Sequence, residues 1–264
     1  MTGTTKTERK TPDWADILKH AVEDPGTISE AYRAFHNYSL GNQMAAAIQC
    51  LERDIPMGPL ATYKGWAEHG RAVRRGEKAI ALCAPVTVKT KDTDTDTDTD
   101  TRARVFFTWK PMWFTVWQTE GDDVRIEDIG APGFDAETAM AALGITSEAF
   151  ALINGNVQGY AQERTVSVSP VADHPLRTLL HEMAHVVLGH TAESAMTDDG
   201  SASRDIREAE AESVAYIIGT VLDMPGAAES RGYLQHWLGW RTIDTKSAQR
   251  IYAAAQRILA AGKC

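Results

Sequence analysis

Residues 175–188 read Pro-Leu-Arg-Thr-Leu-Leu-His-Glu-Met-Ala-His-Val-Val-Leu, and His181-Glu182-Met183-Ala184-His185 within them is the most informative run in the chain. Histidines at i and i+4 lie on one face of a helix, one turn apart. Two imidazoles so placed can reach a single tetrahedral Zn2+ at about 2.0–2.1 Å. Glu182, one residue on, can touch a water on that ion without ligating it. Zinc lowers the pKa of such a water towards about 7, and Glu182 is then the base that takes its proton. The apolar neighbours Leu179, Leu180, Val186, Val187 and Leu188 predict a buried helix, which gives a metal site rigidity.

Such a site needs a third protein ligand. The metzincin spacing asks for Gly at 188 and His at 191, where the chain has Leu188 and Thr191. His190 follows Gly189 too closely and reads as a capping or core histidine. The better source is the acidic run Arg207-Glu-Ala-Glu-Ala-Glu-Ser-Val-Ala-Tyr216. On a helix Glu208 and Glu212 share a face, and Glu210 points elsewhere. Glu208 is assigned as the ligand, with small Ala211 allowing the two helices to approach. Glu212 becomes the outer carboxylate that holds a ligating histidine in the right tautomer. Val214, Ala215, Ile217 and Ile218 predict that this helix is buried too. Tyr160, Tyr233 and His236 are candidates for steadying an oxyanion.

Outward from this pair, the periodicity predicts helices over 14–24, 28–35 and 41–53, a short one ending at Gly70, and others over 136–143, 175–188, 205–222 and 245–259. Residues 79–88 and 105–117 read as strands, the second broken at Pro111, and 165–169 as a short strand ended by Pro170. Between the two long strands lies an Asp-Thr repeat, 92–101, expected to be a disordered hairpin tip with nothing to bury. The division expected is a disordered tail over 1–11, one domain over 12–121, a linker over 122–135 and a second domain over 136–264. The fold class is α+β: an N-terminal α+β domain with an antiparallel sheet, then a zincin-like domain.

The chain has 264 residues, a length suited to two domains, and a net charge of −9. The charge is uneven. Residues 1–91 hold 13 Lys/Arg against 10 Asp/Glu, and residues 92–264 hold 14 against 26. An acidic whole can therefore carry a basic face on its first half. No apolar run approaches the roughly 20 residues that cross a bilayer, and the polar start lacks a signal-peptide core. No membrane partner and a cytoplasmic location are expected. Cys50, Cys83 and Cys264 are scattered and suggest neither a disulfide framework nor a metal knuckle.

Residues 64–78 hold five basic side chains and two acidic ones around Trp66, and Trp109, Trp113 and Trp117 follow. Cations that neutralise phosphates and rings that stack on bases are what single-stranded nucleic acid requires, although such residues also serve cores and solvated faces.

At these motifs the chain resembles a known family. His181–His185 with Arg207–Tyr216 and the segment 159–170 resemble the gluzincin-type metallopeptidase domain of the ArdC antirestriction proteins and the related ImmA/IrrE family. Residues 38–43, 62–66, 70–78 and 118–121 resemble successive motifs of the ArdC N-terminal domain, a single-stranded-DNA-binding module. Carried over by position, the resemblance implies Asn42, Lys64, Trp66, Arg71, Arg74, Arg75 and Lys78 as DNA contacts. It also implies that 165–169 is the edge strand beside the zinc. The function it implies is antirestriction: a zinc metallopeptidase-like protein that binds single-stranded DNA and either protects mobile DNA from restriction or acts on a DNA-associated protein substrate. The alternative is a DNA-binding protein whose zinc is structural, for which Glu182 would be unnecessary.

Overall fold

Three helices open the chain as the apolar spacing predicts: α1 (Trp14–Glu23), α2 (Thr27–Phe35) and α3 (Leu40–Leu51). Asp13 caps α1 by accepting from the N–H groups of Ala15 and Asp16, an arrangement that contributes about 1 kcal/mol. The computed structural model describes residues 12–24, 26–90, 102–127, 129–151, 157–192, 204–226, 230–232, 234–235 and 243–264. The Asp-Thr repeat, the tail 1–11, Tyr233 and His236 lie outside them.

The chain forms two compact units, 1–12 with 48–126 and 13–47 with 127–264. The sequence reading placed 12–121 in a single domain; the structure gives 13–47 to the other unit. The reason is the apolar faces of α1 and α2. Ile17, Leu18, Ala21 and Val22 are buried, and α1 packs against the last helix, α8 (Thr245–Ala261). Burying each of Ile17, Leu18 and Val22 contributes about 1.5–3 kcal/mol. Polar ties fix the arrangement. Thr245 Oγ1 donates to Asp13 at 2.5 Å, the Gln256 side chain accepts from Leu40 N at 2.7 Å, and Ser29 Oγ donates to the Thr220 carbonyl at 3.0 Å. The later boundary between the units lies at 126/127.

The first unit contains β1 (Leu60–Thr62), α4 (Tyr63–Glu68), β2 (Arg71–Val73), β3 (Ile80–Thr90), β4 (Arg102–Thr115) and β5 (Thr119–Gly121). Strands β1, β4 and β3 form an antiparallel sheet in that order, and β2 pairs with β5. The break expected at Pro111 does not occur. The register shifts between Ile80 and Ala81, which face Trp113 and Pro111, so β4 absorbs one extra residue, Met112, and runs on. From α3, the Gln49 amide donates to the Ala81 carbonyl and accepts from the Ala81 N–H, at 2.8 and 2.9 Å, continuing the ladder with a side chain.

The second unit adds α5 (Ala136–Leu143), β6 (Thr146–Ser147), β7 (Gly159–Gln162), β8 (Thr165–Val168), α6 (Pro175–Leu188) and α7 (Arg204–Val221). The sheet order is β6-β8-β7, with β6 parallel and β7 antiparallel to β8. The strand over 165–168 is therefore central. The edge is β7, because the two-residue β6 takes the other side of β8. Helix α6 packs on β7, β8, α7 and α8, burying Leu180, Met183, Ala184 and Val186. On α7, Ala209, Ala211, Val214 and Ala215 are all buried, so small residues set the α6–α7 approach. Together these contacts fix the polar face of α6 against β7 and α7.

Candidate metal centre

Pro175 starts α6 and Gly189 ends it in the left-handed conformation (φ 78°). Along its length His181 and His185 project together, and their Nε2 atoms stand 3.1 Å apart. Glu208 of α7 brings Oε2 to 3.4 Å from His181 Nε2 and 3.5 Å from His185 Nε2. A tetrahedral ion with bonds of about 2.0–2.1 Å has ligand–ligand edges of about 3.3–3.4 Å. Three donor atoms of the right chemistry are thus held at nearly that spacing, and the three residues fit a divalent metal. They line a cleft of about 1430 Å³ together with β7 and Glu182.

The outer nitrogens of both histidines are also held. Glu212 Oε2 lies 3.1 Å from His181 Nδ1, and its other oxygen accepts from Arg177 at 2.7 Å. His185 Nδ1 lies 3.0 Å from His190 Nδ1. His190 Nε2 meets Glu210 Oε2 at 2.8 Å, and Arg250 donates to the same oxygen at 2.8 Å. Glu212 thus stands between His181 and Arg177. His190 caps the end of α6 and is buried, as its sequence position suggests, and its contacts with His185 and Glu210, like those of Arg177 and Arg250, have no local sequence signal. The conformation of the Gly189 turn bends the chain back over the last helical turn. His190 N donates to the His185 carbonyl at 2.9 Å.

Electrostatics follow the contacts. Burial works against a charge on His181, but hydrogen bonds to Glu208 and Glu212 outweigh it and raise its pKa to about 9. Burial raises Glu212, yet His181 and Arg177 bring it down to about 2. Hydrogen bonds from His181 and His185 lower Glu208 as well. Glu182 moves the other way. It is 8% exposed, and burial lifts its pKa above the ordinary carboxylate value despite the two histidines. Strand β7 passes so close that a Cβ on Gly159 would stand 2.7 Å from Thr178 Cγ2 and 3.0 Å from Glu182 Oε1. Tyr160, on the same strand, donates its hydroxyl to Glu148 at 3.0 Å.

Comparison with known proteins gives this arrangement a context. Residues 6–117 match the family described as the N-terminal domain of anti-restriction factor ArdC. The crystal structure of the metal-free antirestriction ArdC protein from the R388 plasmid superposes with a TM-score of 0.59. It covers 94% of this chain and 96% of that one at 20% identity. The Mn(II)-bound structure of the same protein gives 0.55 at 19% identity, with the same coverage. Residues 6–117 are thus similar to the ArdC N-terminal domain, and the chain shares the fold of the R388 protein. No curated protein sequence matches it.

The ArdC-like N-terminal motifs divide once their burial is known. Trp66 is 2% exposed and donates its indole N–H to the Phe114 carbonyl at 2.8 Å. It is core, and the stacking role expected of it is corrected. Arg71 is spent across the β2–β5 pair, donating to the Thr119 hydroxyl at 2.8 Å, the Thr119 carbonyl at 3.1 Å and the Gly121 and Asp122 carbonyls. Its guanidinium closes a strand pair while remaining half-exposed. Asn42 is half-buried on α3, within the second unit. Lys64, Arg74, Arg75 and Lys78 are exposed on the first unit. Arg74 donates to the Trp117 carbonyl and pairs with Glu77, and Lys64 faces Glu68. The exposed rings of this unit are Tyr63, Phe106, Phe107 and Trp117. Phe106 and Phe107 lie on β4, where strand periodicity cannot show which face a neighbouring element leaves open, and Tyr63 begins α4. Among the described residues no helix is long and apolar enough to cross a membrane.

Proposed function

We propose that this ArdC-like protein protects DNA by binding single strands through its first unit and by hydrolysing peptide bonds at a zinc centre in its second. The observation that carries the hydrolytic reading is the convergence of His181, His185 and Glu208 beside the buried carboxylate of Glu182. Two imidazoles and one carboxylate near tetrahedral spacing favour zinc among divalent ions. Zinc bound there supplies a Lewis acid and brings the pKa of a coordinated water towards about 7. The other parts belong to the chain. Burial makes Glu182 a stronger base than a free carboxylate and, once protonated, a usable acid for the leaving amine. The edge strand β7 lines the cleft and can accept an extended peptide as a further strand. Lys64, Arg74, Arg75 and Lys78 are the cations that would meet phosphates, with Tyr63, Phe107 and Trp117 as stacking surfaces.

Glu182→Gln tests the reading, because the change keeps volume and removes the base. The expected result is unchanged zinc content and oligonucleotide affinity with loss of proteolysis and of DNA protection in cells. Retained proteolysis and protection would leave the zinc a structural element of a DNA-binding protein. Glu208→Ala tests the ligand set, and full zinc affinity in that variant would remove Glu208 from it.

A further inference from the structure

We propose that His190, fixed by Glu210 and Arg250, is a positioning residue for the metal centre that presents a hydrogen-bond acceptor to the outer nitrogen of His185. The inference rests on reading His181, His185 and Glu208 as ligands. If His185 ligates through Nε2, the atom that faces His181 and Glu208, its Nδ1 must carry the ring proton and needs an acceptor. The atom at 3.0 Å is His190 Nδ1. A neutral imidazole has one donor and one acceptor nitrogen, so His190 then carries its own proton on Nε2. Glu210 Oε2, at 2.8 Å, accepts that proton, and Arg250 donates to the same oxygen from the other side. The three short hydrogen bonds then share one sense, and the Arg250–His190 Nε2 contact at 3.5 Å is a longer donor–donor approach. Arg250 donates to Glu210, His190 donates to Glu210, and His185 donates to His190.

The surroundings favour this single arrangement. The Glu210 side chain is fully buried and that of His190 is 5% exposed, so water does not compete for these positions. The other ligand histidine is held by a shorter version of the same device, Glu212 backed by Arg177. All three alternating glutamates of α7 therefore serve one site. Glu208 contributes the ligand atom, Glu212 supports His181 directly, and Glu210 supports His185 through an inserted imidazole. Partners of this kind orient the ligand ring, and their loss typically lowers metal affinity by about 10–100-fold.

The test uses the full chain. Zinc affinity is measured by competition with a chromophoric chelator for the wild type, His190→Phe, His190→Asn and Arg250→Met, beside the Tm of each metal-free protein. Phe keeps the ring volume without the acceptor, and Asn offers a carbonyl oxygen close to where Nδ1 stood. The expected result is about a 10–100-fold loss of zinc affinity in His190→Phe, largely recovered in His190→Asn, while the metal-free Tm falls in both because the buried Glu210 loses a donor. Wild-type affinity in His190→Phe overturns the inference. So does an equal loss in both His190 variants that tracks a fall in metal-free Tm, the mark of a merely structural residue. If His190→Phe does not fold, Arg250→Met, at a half-exposed side chain, takes its place. Lower zinc affinity, read at a temperature where the metal-free variant is still folded, then supports the inference, and wild-type affinity overturns it. A wild-type chain that takes up no zinc overturns the ligand reading itself, and that shows before any variant is made.

Discussion

Without metal, His181 sits between two carboxylates, 3.4 Å from Glu208 and 3.1 Å from Glu212. This makes the metal-free protein sensitive to alkali. The folded pKa of about 9 stands against an ordinary value of 6.5. The folded chain therefore holds the proton more tightly than the unfolded chain does. That stabilisation is complete below about pH 6.5 and is lost as pH rises through about 9. At 1.36 kcal/mol per pKa unit, the difference amounts to about 3 kcal/mol for a group with most of its side chain buried. The assay is urea unfolding of the chelator-treated protein from pH 6 to pH 10, repeated for His181→Asn. Wild-type stability should fall by about 3 kcal/mol across the interval and exceed the variant's own change by most of that amount. Zinc should displace the same proton, so that binding at pH 7 releases about one proton, measurable by calorimetry in buffers of different ionisation enthalpy. A metal-free wild type with the same pH profile as His181→Asn would refute the electrostatic picture of the site.

Two further outcomes follow from the geometry. Gly159→Ala should cost about 1–3 kcal/mol of stability, since its Cβ would meet Thr178 and Glu182. Proteolysis should drop further than zinc affinity, because Glu182 is displaced while the ligands are not, and equal falls in both would contradict that separation. In the first unit, Arg75→Ala should leave Tm unchanged and lower the slope of log affinity for a single-stranded oligonucleotide against log salt by about 0.7. Arg71→Ala should instead lower Tm, because its donors close the β2–β5 pair, and an unchanged Tm would refute that structural role.

Local spacing made α6 and α7 legible, since the positions of His181, His185, Glu208 and Glu212 on their helix faces follow from the helical repeat alone. What the sequence hid depends on partners distant in the chain. Residues 13–47 look like the start of the strand-bearing unit until Asp13, Leu40 and Ser29 are seen bonded to Thr245, Gln256 and Thr220. Trp66 and Arg71 carry the chemistry of nucleic-acid contacts. Only the Phe114 and Thr119 groups opposite them show that their donors are already used. The strand over 165–168, an edge by the family resemblance, is central because β6, two residues long and without a periodic signal, covers its other side.

Glu210 is the instructive case. On a helix it stands about 200° around from Glu208, so it cannot reach the same ion. A fully buried carboxylate is also a poor device for stability alone. Burying an ion pair is often no better than packing apolar residues of similar volume, while removing one partner costs about 3–5 kcal/mol. Its presence makes sense if the far side of α7 has something to hold, and the Gly189 turn carries His190 round to that side. Replacing the group together, with Glu210→Leu, His190→Phe and Arg250→Met, separates the two roles. Unfolding of the metal-free triple variant should lie within about 1 kcal/mol of the wild type or above it. Its zinc affinity should still be lower, because His185 has lost the acceptor that oriented it. A triple variant that lost several kcal/mol of metal-free stability and kept its zinc affinity would show that the buried charges hold the fold together and leave the metal centre indifferent to them.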